Sequence, residues 1–70
     1  MTNVEAHLTG SVWRLLVAPG DAVEEGDVVA ILESMKMEMP VESEDAGTVK
    51  EVLVSEGQAV SEGDPLLVLD

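Results

Sequence analysis

The chain has 70 residues, of which fifteen are acidic, three are basic and none is cysteine, for a formal charge of -12. One domain of this size buries roughly 60% of the surface its unfolded chain exposes, so its stability must come from a compact, well-filled core. The acidity repels a nucleic-acid backbone, the lack of cysteine excludes a disulfide framework or a thiolate metal site, and no apolar run approaches a membrane span.

The opening residues, Met1-Thr2-Asn3-Val4-Glu5, carry neither a basic segment nor an apolar run, so no targeting signal is expected and a cytoplasmic protein is the default reading. The surplus of carboxylates serves solubility. With 46% hydrophobic residues, including twelve valines, the chain is too apolar to stay unfolded.

Taken in order, Val4-Glu5 leads through the turn-like Leu8-Thr9-Gly10 into a valine- and leucine-rich run from Ser11 to Val17. Pro19-Gly20-Asp21 ends that run, because proline presets one torsion of a turn and glycine accepts a positive one. A second turn falls at Glu25-Gly26-Asp27, after which Val28 to Leu32 is apolar up to Glu33. The same signals then return. Sliding the chain by 37 positions places Val4-Glu5 on Val41-Glu42, Gly10-Ser11-Val12 on Gly47-Thr48-Val49, and Gly20 on Gly57. The match continues with Ala22-Val23 on Ala59-Val60, Glu25-Gly26-Asp27 on Glu62-Gly63-Asp64, and Leu32 on Leu69.

Residues 1–33 therefore repeat as 38–70, and Ser34-Met35-Lys36-Met37 forms the seam between the copies. Two copies of one supersecondary unit that close a common core predict a quasi-twofold domain spanning 1–70. Short valine-rich runs between glycine turns read as strands, four to a copy, and the domain as an all-β sandwich or flattened barrel. Val28, Ile31, Leu32, Met35 and Met39 also fit helical spacing, but the equivalent segment Pro65–Asp70 is too short for a stable helix. If the copies share a fold, both segments are strands. The seam is then a hairpin with Lys36 at or beside its tip.

A hairpin tip holds a side chain in solvent on a backbone fixed from both sides, which suits covalent attachment. Lysine amines are almost wholly protonated at neutral pH, and no neighbour in sequence offers a base, so another protein must catalyse any acylation of Lys36. Met35 and Met37 supply flexible, polarisable surface of the kind used at adaptable docking sites. The alternative is an ordinary solvated turn lysine, with methionines filling the edge of the core.

The run Glu33-Ser34-Met35-Lys36-Met37-Glu38 resembles the attachment motif of biotin carboxyl carrier proteins, whose usual form is Glu-Ala-Met-Lys-Met. Gly10 to Val12, Gly20-Asp21, Gly26-Asp27 and Ala46-Gly47 are similar to that family's surrounding pattern, and the likeness covers essentially the whole chain. The resemblance implies a flattened β-barrel of two four-stranded antiparallel sheets, with Lys36 acylated by a biotin protein ligase from biotinyl-adenylate and Glu33, Met35 and Met37 as flanking recognition residues. It further implies that biotin on Lys36 is carboxylated at a biotin carboxylase and serves a carboxyltransferase, so that the chain is a carrier and not itself an enzyme. Ser34 stands where alanine is commoner, and there is no insert for the protruding thumb of many acetyl-CoA carboxylase carriers. A lipoyl carrier shares the fold but usually places Asp-Lys-Ala at its hairpin, and a non-modified interaction module of the same fold is a third reading.

Other residues attract blander readings. His7 has no second histidine or cysteine for a metal site and reads as a solvated strand residue. Trp13 matches Lys50 in the second copy, which predicts an outward or rim position with room for a docking role. The groups Glu24, Glu25, Asp27 and Glu42, Glu44, Asp45 lack the spacing of a calcium loop and read as solvated turns. Pro40 and Pro65 should lie at an unpaired side or the start of a strand, where they limit edge-to-edge association.

Overall fold

The structure, a computed structural model, describes residues 1–70 and is built of strands with no helix. In chain order these are β1 (Thr2–Glu5), β2 (Gly10–Leu15), β3 (Ala22–Val23), β4 (Val28–Ser34), β5 (Met37–Glu42), β6 (Gly47–Val52), β7 (Ala59–Val60) and β8 (Pro65–Leu69). They form two four-stranded sheets, ordered β1-β8-β6-β3 and β5-β4-β2-β7, with every neighbouring pair antiparallel. A shift of 37 residues turns one sheet into the other, strand for strand. Each sheet takes two strands from each copy, so the copies are interleaved and not stacked side by side.

The core obeys the same symmetry. Its buried apolar residues include the pairs Val4/Val41, Val12/Val49, Val23/Val60, Val29/Leu66, Ala30/Leu67 and Leu32/Leu69. One face of each sheet meets the other sheet, so the buried valines and leucines point inward, with β4 and β8 each burying two successive residues, Val29-Ala30 and Leu66-Leu67. Where the first copy buries Ala6, the second buries Ser43, whose hydroxyl donates to the Asp45 carbonyl and accepts from the Asp45 N–H. That local pairing lets a hydroxyl occupy a methyl's place without leaving a buried polar atom unsatisfied.

Both halves also share a turn design. In Glu24–Asp27 and Ser61–Asp64, the first carbonyl accepts from the fourth N–H at 3.0 and 2.9 Å, and Gly26 and Gly63 hold φ of 91° and 90°. A positive φ at the third position is the signature of a type II turn and the reason glycine stands there. The aspartate that ends each turn reaches back: Asp27 Oδ2 accepts from the Glu24 N–H at 2.9 Å, and Asp64 Oδ2 from the Ser61 N–H at 2.8 Å. Asp27 is thus more than a solvated charge, since its carboxylate closes the turn; Glu24, Glu25 and Glu44 are exposed.

β2 and β6 each carry a bulge at equivalent points, where Trp13 and Lys50 are the extra residues. A bulge residue has no partner in the ladder. This puts Trp13 outward as expected, 41% exposed, with the Arg14 guanidinium 4.9 Å from its ring centre. Two expectations need correction. His7 is exposed in the bend between β1 and β2, not in a strand, because the chain must turn there to cross from one sheet to the other. Pro40 lies in the edge strand β5 and Pro65 at the start of β8, both positions as predicted, but β8 is a central strand, so Pro65 does not have the expected role of limiting edge-to-edge association.

Candidate modification site at the hairpin tip

The tip is built by β4 and β5. Val29, Ala30 and Leu32 are wholly buried, which anchors β4 in the core, and β2 pairs with its other side. β5 pairs with β4 from Glu42 to Met37, and the last pair is Ser34 with Met37. Only Met35 and Lys36 remain for the turn.

A two-residue hairpin favours a turn with φ positive at both central residues, because that twist matches the twist of the strands. Met35 and Lys36 have φ of 53° and 65°, the only non-glycine residues in the chain with positive φ. For residues with a Cβ this conformation costs about 1–2 kcal/mol each. The two strands impose it, since Ser34 and Met37 are already paired and no third residue is available to relax the connection. Lys36 is thereby fixed at the tip itself, and its side chain is exposed.

The flanks differ by face. Leu32 and Met39 pair on the inner face, where Leu32 is buried and Met39 half-buried. Glu33 and Glu38, both exposed, stand directly opposite each other one pair below Ser34 and Met37. Like charges so placed repel, so this pair does not stabilise the hairpin. Met35 is 93% and Met37 62% exposed, which excludes them as filling for the core edge. Beneath the hairpin, Gly10 brings β2 so close to the backbone of Glu33 that any Cβ on it would collide with the Glu33 carbonyl oxygen.

The structure therefore brings together Glu33, Met35, Lys36 and Met37, as the sequence predicts, and adds two residues. Glu38 is the cross-strand partner of Glu33, and Gly10 supports the hairpin from below; a hairpin register and the repeat of Gly10 as Gly47 are the sequence signals for them. Elsewhere the surface has one broad groove of about 970 Å³ between β1 and β5. Its carboxylates come largely in duplicated pairs, Glu5 with Glu42 and Glu25 with Glu62, and it offers no nucleophile beside a base. Of the two exposed lysines, Lys36 stands alone at a hairpin tip, whereas Lys50 lies within β6 with its amine donating to the Met1 sulfur. Without a base of its own, Lys36 suits acylation by an external catalyst.

Known proteins share this fold and part of this sequence. A solved urea carboxylase from Kluyveromyces lactis superposes on 99% of this chain with a TM-score of 0.90 and 38% identity, the match covering 6% of the carboxylase. A single-chain, multi-domain long-chain acyl-CoA carboxylase superposes on 94% of it at a TM-score of 0.87 and 36% identity, over 7% of that protein. Among curated relatives, the biotin/lipoyl attachment protein of Bacillus subtilis is 50% identical over 39 residues, or 56% of this chain and 53% of that protein. The biotinylated protein TB7.3 of Mycobacterium tuberculosis is 51% identical over 39 residues, which are 56% of this chain and 55% of that one. The aligned stretch thus spans about half the length of these relatives. The biotin/lipoyl family model, described as biotin-requiring enzyme, matches residues 3–69. With a match of that extent on two interleaved sheets that hold a lysine at a two-residue tip, the chain belongs to the biotin/lipoyl attachment family.

Proposed function

We propose that this chain is a biotin carrier whose 70 residues act as one biotinyl domain, with Lys36 as the attachment residue. The observation that carries this reading is Lys36 itself, held by two paired strands at an exposed tip between exposed methionines, in a family named for its requirement for biotin. A biotin protein ligase makes the bond. The Lys36 amine attacks the acyl carbon of biotinyl-adenylate, a C–N bond forms as the bond to AMP breaks, and the amine gives up a proton. Met35 and Met37 supply apolar contact around the amine, and Glu33 a charged flank.

When attached, biotin supplies a group able to take up and release a carboxyl, which the carrier moves between a biotin carboxylase and a carboxyltransferase. The carboxylase likenesses support this assignment of partners. The chain's own part is to present and position, not to catalyse. A cysteine-free sequence that needs no oxidising compartment supports a cytoplasmic setting. The methionines on both sides of Lys36 favour biotin over a lipoyl group, whose carriers usually show Asp-Lys-Ala.

Coexpression with a biotin protein ligase tests the assignment by intact mass. The natural chain is expected to gain one biotinyl mass and Lys36→Arg none, with both folded by circular dichroism. An unchanged mass with active ligase present, or label on Lys36→Arg, overturns it; labelling by a lipoate ligase in preference makes the chain a lipoyl carrier.

A further inference from the structure

Four methionines report on different surroundings. Met35 and Met37 are 93% and 62% exposed on either side of Lys36, while Met39, two residues along β5, is half-buried. Met1 is 83% exposed but precedes β1 of the other sheet, and its sulfur lies 2.9 Å from Lys50 Nζ. A thioether open to solvent meets oxidants more readily than a half-buried one. The tip therefore holds two reactive sulfurs, each one residue from the amine.

We propose that Met35 and Met37 are a modification site, oxidised to methionine sulfoxide by hydroperoxides, and that this oxidation closes Lys36 to acylation. The thioether sulfur attacks one peroxide oxygen, an S–O bond forms as the O–O bond breaks, and the leaving oxygen takes the proton to depart as water or an alcohol. Sulfur loses two electrons and the peroxide gains them. The product carries a strong hydrogen-bond acceptor where there was flexible apolar surface. Any catalyst that encloses the Lys36 amine must also cover residues whose Cα atoms lie about 3.8 Å from that of Lys36 on each side. Covering an S–O oxygen without a donor carries a desolvation cost that corresponds to about a ten-fold loss of rate or more. Methionine sulfoxide reductases reverse the change, so the block is a switch and not a lesion.

This consequence rests on the carrier reading, and the test separates the two. The apo chain is treated with hydrogen peroxide, mapped by peptide mass, and then offered to a biotin protein ligase with biotin and ATP. Met35 and Met37 are expected to oxidise well before Met39, and the doubly oxidised chain to be biotinylated about ten-fold more slowly than the untreated chain, with recovery after sulfoxide reductase. In Met35→Leu/Met37→Leu the ratio of treated to untreated rate is expected to stay near one, whatever its untreated rate, while Met39→Leu remains sensitive. Earlier oxidation of Met39, an undiminished rate in the oxidised chain, or equal sensitivity in the double variant overturns the proposal. An untreated chain that takes no biotin overturns the carrier reading and the switch with it; the order of oxidation is read by mass in either case.

Discussion

The glycine turns and the hairpin tip solve the same problem in opposite ways. At Glu24–Asp27 and Ser61–Asp64 a left-handed residue is needed, glycine provides it, and a trailing aspartate ties the turn down. At the tip two consecutive left-handed residues are needed, and Met35 and Lys36 take that conformation with neither glycine nor a cap. The glycine turns are optimised for stability. The tip is instead held by what lies beneath it, which is the arrangement expected where side-chain identity at a turn matters more than the ease of making it.

The largest test of this difference removes the support. Leu32 lies wholly buried three residues before Met35, and Leu69 is its twin in the other sheet. Leu32→Ala and Leu69→Ala should each lower stability by about 2–5 kcal/mol in chemical denaturation. A loss below about 1 kcal/mol for Leu32→Ala would mean that the hairpin is not anchored through its inner face. A medium effect comes from the glycine turns, where Gly26→Ala forces a Cβ onto a φ of 91°. Nothing crowds that Cβ, so the expected loss of about 1–2 kcal/mol is conformational alone. The smallest effect has the opposite sign. Met35→Asn puts a residue that tolerates the left-handed region at the first tip position and should raise stability by about 0.5 kcal/mol in chemical denaturation. A variant no more stable than the natural chain would show that the tip is not strained.

The duplication is what made the fold legible from sequence. Valines and glycines recur at 37 residues because both copies fill equivalent places in one core, and the short Pro65–Asp70 segment settled strand against helix for Val28–Glu33. The site was legible as a lysine at a seam because the hairpin joins the copies. Its geometry was less so. Two-residue hairpins are usually signalled by Asn-Gly or Asp-Gly, and Met35-Lys36 gives no such sign of its left-handed backbone. The opposition of Glu33 and Glu38 depends on pairing register, and the need for Gly10 depends on a contact across 23 residues of chain, neither of which periodicity specifies. Pro65 misled because a strand's first residue looks the same in sequence whether the strand ends up at an edge or in the middle.

The interleaving of the copies governs the order in which the molecule is able to assemble. By residue 42 a growing chain has made β2, β4 and β5, three consecutive strands of the sheet that bears Lys36, with β4 paired to both of the others. The other sheet has no such early run of three, because β1 is joined to β6 and β3 only through β8, which lies between β1 and β6. One strand therefore completes the second sheet, and its pairing with β1 joins residues near opposite ends of the sequence, a long-range contact of the kind that slows folding. The sheet behind the tip is thus drafted from contiguous sequence save for β7, its far edge, whereas the opposite sheet waits for β8.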